Sequence, residues 1–357
     1  MQLLIDPAPP AIKWGKHSAK SFSSGECLTD ADWLAITGGN SDSRQRTASV
    51  VYRLRHGGEL VRLPAQIVTP KVLEAVGAAV RYLPEYNELT YAALKRMLRI
   101  MPKVPHILLC DTAFFMEMPL EASAYALSPL LRARGLKRYG DYGLTHQWAF
   151  AEAQKLLGPP VSKVISIHLG DHPNMAAVNN GRPLDTTIGF TPVEGLPSHS
   201  GCGDIDVSVV FELQAAGFSL KEINTLLSAR SGFRGLTGTA CSFMDLMNAD
   251  TSVKKAMARK ILLYDIIRYS GAFSALLGGA DAILFITEEP SKCAAFIQGI
   301  CSGLEFLGLR CRFPISDRAG GTLISEQDSR IKVMVLKGDI WRIMIDNSKN
   351  AVQEEII

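Results

Sequence analysis

Two short runs constrain this chain most: ILLC within residues 104–110 and AILFI at 282–286. A strand that is apolar at odd and even positions alike is covered on both faces, the habit of strands flanked by helices in a parallel sheet. Helical patterns separate such strands. Residues 69–82 open with Thr69-Pro70 as cap and first turn and place Val72, Val76 and Val80 on one face. A second amphipathic stretch covers 89–100, and a third, 147–157, stops at Gly158-Pro159-Pro160. Upstream, strands are expected at 2–5 and 12–14 around a proline-rich turn, and at 50–55 before the turn His56-Gly57-Gly58. Residues 21–47 are polar and rich in Gly and Ser, with one strand candidate at 33–37. A second block reads as strands 164–168, 176–178 and 187–192, helices 206–216, 220–228 and 252–277, strand 282–286, helix 292–307 and strand 332–336. Strands alternating with helices in two successive blocks predict an α/β protein of two related lobes with a cleft between them.

Composition narrows the function classes. A length of 357 residues suffices for two ordinary domains, and 47% hydrophobic with 20% charged residues describes a globular chain. A net charge of +3 with both signs interspersed gives no footprint for nucleic acid. No apolar run reaches membrane-spanning length, and MQLLIDPAPP lacks the basic start and long apolar region of a signal peptide. Seven cysteines form no CxxC pair, so reduced thiols and a cytoplasmic location are expected.

Ordered motifs then carry a resemblance. Residues 52–58 (YRLRHGG), 110–115 (CDTAFF), 137–146 (KRYGDYGLTH), 185–196 (DTTIGFTPVEGL), 202–207 (CGDIDV), 235–245 and 300–308 (ICSGLEFLG) follow one another almost from end to end. Together they resemble the acetate, propionate and butyrate kinase family. That resemblance implies a two-lobed, actin-like ATPase fold of duplicated ribonuclease H-like type. It also implies a homodimer that uses ATP and Mg²⁺ to phosphorylate a short carboxylate. It places the first lobe at 1–146 with 340–357 returning to it, and the second, carrying the dimer interface, at 147–339. By the same resemblance Arg53 and Asp111 match a catalytic arginine and a catalytic acid.

The departures fall on the chemistry. The family's first phosphate loop corresponds to residues 6–13 (DPAPPAIK), where prolines remove N–H donors and Asp6 stands for an asparagine. Residues 168–172 (HLGDH) carry Asp171 in place of another asparagine, and 285–293 (FITEEPSKC) lack the glycines that approach adenosine. Tyr86 and Tyr142 stand for two histidines, Gly201 for a second arginine, and Ile340 falls where 339–341 (DIW) replaces a metal-side glutamate segment. Arg55, Glu85 and Asp141 replace apolar pocket residues, while Pro192 and Phe243 keep pocket positions. One well-placed arginine is worth roughly 10³–10⁵ in phosphoryl-transfer rate, so these losses together predict feeble catalysis. Like charges at about 4–6 Å shift a pKa by a unit or more, which also sets added acids against a polyanionic substrate.

Plainer readings stand beside these. Arg53 serves an anion or a salt bridge to Asp111. Arg55, Glu85 and Asp141 form a binding surface or a charge cluster filling the pocket. Asp6, Asp111, Asp171, His172 and His199 have no metal-motif spacing, and no metal site is assigned. Cys202 near His199 reads as an inert thiol, and His146 and His168 as packing residues. Three functions remain. The first is a degenerate family member kept as a binding, scaffolding or regulatory homodimer, with no cofactor assigned. The second is a carboxylate kinase of unusual ligation using ATP and Mg²⁺. The third is a repurposed pocket for another small ligand, with no membrane or nucleic-acid partner.

Overall fold

The computed structural model describes residues 1–18, 21–27, 33, 47–158, 161–248, 252–317 and 320–354, with side chains to residue 351. The chain divides into two compact units: unit 1 comprises 1–116, 141–148 and 339–357, and unit 2 comprises 117–140 and 149–338. Each holds one six-stranded sheet.

In unit 1 the sheet runs β3-β2-β1-β4-β6-β5. Its strands are β1 (Gln2–Ala8), β2 (Ala11–Ser18), β3 (Ser21–Cys27), β4 (Ser49–Leu54), β5 (Ala65–Ile67) and β6 (His106–Cys110). β1, β4 and β6 are parallel, and the other three pair antiparallel. In unit 2 the order is β11-β12-β10-β7-β8-β9. These are β7 (Lys163–His168), β8 (Asn174–Asn179), β9 (Arg182–Thr186), β10 (Ala282–Thr287), β11 (Gly321–Leu323) and β12 (Lys332–Lys337). Read from its other edge, this sheet repeats the first strand for strand, with β7, β10 and β12 parallel in the places of β1, β4 and β6. The duplication expected of the fold is therefore present in the topology itself.

Burial explains the apolar runs. In unit 1, Leu3, Ile5, Val50, Tyr52, Leu54 and Leu108 form a core with Val76 of α1 (Pro70–Ala79) and Leu94 and Met97 of α2 (Pro84–Ile100). Thr69 caps α1 through its hydroxyl, as expected. α3 (Gly143–Leu157) starts four residues earlier than the sequence suggested. In unit 2, Ile165, Ile167, Ile283, Phe285 and Val335 pack against Leu262, Ile266 and Phe273 of α4 (Val253–Leu277) and Phe296 and Ile297 of α5 (Pro290–Gly303). α6 (Ile340–Glu354) returns to unit 1 and lies against β5 and β6.

Several expectations need correction. β3 lies inside the polar segment 21–47, where the strand was expected only at 33–37; it is largely exposed at a sheet edge, so no apolar pattern marks it. Of the strand candidate 33–37, only Trp33 lies within the described residues, and it is helical and buried. The strand expected at 187–192 is instead β9, which ends at Thr186. Residues 117–140, assigned above to the first lobe, group with unit 2. Arg138 bonds Asp185 and the Thr186 carbonyl, and the Tyr139 amide donates to Gly189, which fastens this segment beside β9. Among the described residues, no helix is long and apolar enough to cross a membrane.

Candidate functional site

Period-two alternation along the parallel strands carries one face of the sheet from Leu4 to Asp6, from Val51 through Arg53 to Arg55, and from Leu109 to Asp111. Register does the rest. Ile5 pairs with Tyr52 and Leu54 with Cys110, so one step further Asp6 lies beside Arg53, and Arg55 beside Asp111. The carboxyl ends of parallel strands are where open α/β sheets hold ligands.

The side chains there are closely bonded. Arg53 Nε donates to Asp111 Oδ2 at 2.7 Å and Nη1 to Asp6 Oδ1 at 3.2 Å. Arg55 grips Asp141 with two parallel bonds, Nε to Oδ1 at 3.0 Å and Nη2 to Oδ2, and its Nε lies 3.8 Å from Asp111 Oδ2. All five charged residues are at most 6% exposed. The Tyr142 ring lies 5.3 Å from the Arg53 guanidinium and 4.5 Å from that of Arg55, and Tyr86 lies 4.7 Å from Arg55. Arg53 Nη2 is buried with no hydrogen-bond partner.

Local structure fixes this arrangement. Tyr142 precedes α3 with φ of 58°, a left-handed conformation that costs a bulky residue strain, and Asp141 Oδ1 accepts its amide at 2.8 Å. Asp111 Oδ1 accepts the Leu144 amide at 3.3 Å, so a carboxylate from β6's end caps the positive end of α3. Gly143 lies so close that a Cβ there would meet the Asp111 carbonyl oxygen at 2.1 Å. Behind β4, Thr90 Oγ1 donates to the Arg53 carbonyl at 2.8 Å, and Asn87 Nδ2 donates to the carbonyls of His56 at 2.7 Å and Ala79 at 2.9 Å.

Electrostatically, two guanidiniums face three carboxylates. Burial works to lower the Arg53 and Arg55 pKa, but Asp111 and Asp6 for the one, and Asp141 for the other, outweigh it and hold both cations charged. Burial raises the Asp111 carboxyl above the ordinary range against the pull of Arg53. For Asp141 burial is overcome by Arg55, which holds its carboxyl low. Burial pushes the Tyr142 hydroxyl up to about 12, so it stays neutral.

The other candidates do not join this cluster. Glu85 is exposed in the first turn of α2. Ile340 is half-buried at the start of α6, whose Trp341 amide donates to Asp339 Oδ1 at 3.0 Å. In unit 2, Asp171 Oδ1 accepts the Phe243 amide at 2.7 Å, while the Phe243 ring is buried core packed edge-on against Phe296 at 6.2 Å. Phe243 is therefore packed into the core of unit 2. The Gly201 amide donates to Ser198 Oγ at 2.8 Å, and Pro192 sits half-buried in the turn after β9. His172 and His199 meet edge-to-face at 4.8 Å, and the His199 amide donates to the Asp171 carbonyl. Cys202 has its thiol pushed up by burial and directed to the Gly203 carbonyl, which suits an inert group. His146 is buried against Phe115.

Comparison with known proteins assigns the lineage. The profile of the Acetokinase family matches residues 34–345. The chain belongs to the acetokinase family. It is 35% identical over 315 residues to an acetate kinase of Bacteroides fragilis, covering 84% of this chain and 77% of that one. It is 33% identical over 337 residues to an acetate kinase of Methanosarcina barkeri, covering 92% and 81%. The crystal structure of an acetate kinase from Entamoeba histolytica shares the fold, with a TM-score of 0.90 at 17% identity over 99% of both chains.

The segments at which the sequence departs from the family motifs are closely bonded within themselves. Residues 6–13 form a tight hairpin in which Asp6 pairs with Lys13 across the ladder, not an open loop of free amides. β10 runs on to Thr287, whose hydroxyl meets the Cys293 thiol at 3.4 Å, and α5 begins directly at Pro290. Asp339 is engaged as a cap for α6, and no group of three His, Cys, Asp or Glu side chains suited to a metal occurs among the described residues. The residues that sequence reasoning missed are Asn87, Thr90 and Gly143. None is chemically reactive, so only their burial in α2 and against β6 reveals them.

Proposed function

We propose that this chain is an acetokinase-family protein whose site no longer supports efficient phosphoryl transfer and which works as a binding or regulatory homodimer in the cytoplasm. One observation carries this reading. Arg53 and Arg55, the cations of the cluster, are already matched by Asp6, Asp111 and Asp141. A transferring phosphoryl group needs uncompensated positive charge, and here the formal sum of the five groups is negative. Titration of the protein with ATP and Mg²⁺ in a calorimeter tests it. Millimolar or weaker affinity is expected; micromolar binding contradicts it.

A second reading is favoured by the comparisons. Relatives 31–35% identical over more than four-fifths of this chain are acetate kinases, and kinship alone therefore favours an ATP-dependent kinase for a short carboxylate. In that reading Arg53, with its unbonded Nη2, and Asp111 are the residues left to act on substrate. Acyl phosphate formed from acetate, propionate or butyrate in steady state selects this reading over the first.

A further inference from the structure

We propose that His106 and Tyr52 form a pH-sensitive latch between β6 and β4, closed while the imidazole is neutral and released when the ring takes a second proton. His106 is the first residue of β6, and both it and Tyr52 are buried. In the parallel pairing Val50 lies opposite His106 and Tyr52 opposite Leu108, so alternation puts the His106 and Tyr52 side chains on one face of the sheet. That face is the one covered by α1 and α2.

Both ring nitrogens are engaged. Nε2 lies 3.0 Å from the Met101 carbonyl oxygen, which can only accept, so Nε2 carries the proton. Nδ1, 2.7 Å from the Tyr52 hydroxyl, is then the acceptor and the phenol is the donor. The Met101 carbonyl also accepts the Val104 amide at 3.2 Å, and the Met101 amide donates to the Met97 carbonyl at 2.8 Å, which fixes this acceptor at the end of α2. One neutral imidazole thus ties β6 to β4 and to the turn after α2.

A second proton has no place in this arrangement. It would sit on Nδ1, head-on against the phenol hydrogen, and the hydroxyl would have to turn away and give up its acceptor inside the core, a costly loss for a buried donor. Burial also holds the His106 ring below the ordinary histidine range, against the pull of the Met101 carbonyl. The charged groups of the covering elements do not bond the ring. On α1, Lys71 and Glu74 are exposed; on α2, Glu85, Glu88, Lys95 and Arg99 are exposed, Tyr91 faces Lys95 at 5.2 Å, and Arg96 lies over the Trp33 ring at 5.6 Å. Lys103, in the turn after α2, is exposed too. A folded value below the ordinary one means that this contribution to stability is complete above about pH 6.5 and is lost as pH falls below it, because the unfolded chain takes the proton first. Arg53 follows Tyr52 and Asp111 follows Cys110, so release of the latch loosens the strands that end in the charge cluster. The plainer alternative is a histidine kept in the core for packing, whose protonation changes nothing.

NMR titration of the full chain with labelled histidine rings, from pH 8 to 5, decides between them. The chain has seven histidines, and His106→Gln assigns the resonance. His106 is expected as the Nε2–H tautomer with a midpoint below about 6.5, and amide exchange at Tyr52, Arg53 and Leu108 should rise as it titrates. Tyr52→Phe removes the donor to Nδ1, so the midpoint should move up by about half a unit or more. In urea, wild-type protein should lose more stability between pH 7.5 and 5.5 than His106→Gln, which has no ring to titrate. A wild-type midpoint at or above the ordinary value, the opposite tautomer, an unmoved midpoint in Tyr52→Phe, or equal losses in urea overturns the proposal. The wild-type tautomer and midpoint decide even if a variant fails to fold.

Discussion

At the scale of single residues, Asp111 and Asp141 look alike in sequence and behave oppositely. Both are buried, yet Asp141 is gripped by both arms of Arg55 while Asp111 shares one oxygen with Arg53 and gives the other to a helix amide. Removing one member of a buried ion pair leaves the other uncompensated and costs about 3–5 kcal/mol. Asp141→Asn should therefore lower unfolding free energy by about that amount in urea denaturation at neutral pH. Asp111→Asn should cost clearly less, because burial already favours its neutral form. The acid limb carries the sign. Asp141 has its folded pKa held below the ordinary value, so its contribution is complete above about pH 4 and fades as pH falls through the folded value. Wild-type protein should lose stability over that acid range, and Asp141→Asn should flatten the loss in pH-dependent melts. Arg53 and Asp111 were legible as a pair in the sequence. Arg55 and Asp141 were legible only as members of a charge cluster with Glu85; that they pair by themselves across 86 positions, with Glu85 left exposed, follows from the turn into α3.

At the scale of elements, α3 depends on a contact that no periodicity shows. Its first turn is seated on the Asp111 backbone through Gly143, and a Cβ at that position has nowhere to go. Gly143→Ala should displace the start of α3 and raise amide exchange at Leu144, Thr145 and His146, with the far end of the helix unchanged. The β8–β9 hairpin offers a second case. Asn180 and Gly181 both have positive φ, 52° and 80°, the two-residue turn that an Asn-Gly pair favours. That dipeptide was present to be read, and it would have ended β8 and started β9 correctly; the apolar run after Thr186 drew the strand too far along. Gly181→Ala should cost roughly 1–2 kcal/mol, measurable by denaturant titration, since the ring of Phe150 leaves room for a methyl at 3.4 Å and only the backbone objects. Buried strands such as β6 and β10 were plain because both their faces are apolar. Exposed edge strands such as β3 were not, because solvent imposes no pattern on them.

At the scale of the whole molecule, two sheets of identical strand order carry different chemistry at equivalent ends. In unit 1 the ends of β1, β4 and β6 present Asp6, Arg53, Arg55 and Asp111. In unit 2 the ends of β7 and β10 present His168 and Thr287, the first bonded to the His172 carbonyl and Asn174, the second to Cys293. The family's fold was legible because its packing segments persist in order, whereas the proposed weakness of phosphoryl transfer rests on individual polar substitutions. The cations of unit 1 are neutralised in place by Asp6, Asp111 and Asp141. The most direct measurement is acyl phosphate formation by the purified chain with ATP, Mg²⁺ and acetate, trapped with hydroxylamine. Product should form no faster than without protein; turnover on the order of 1–100 s⁻¹, the range of working kinases, would show instead that the site is active.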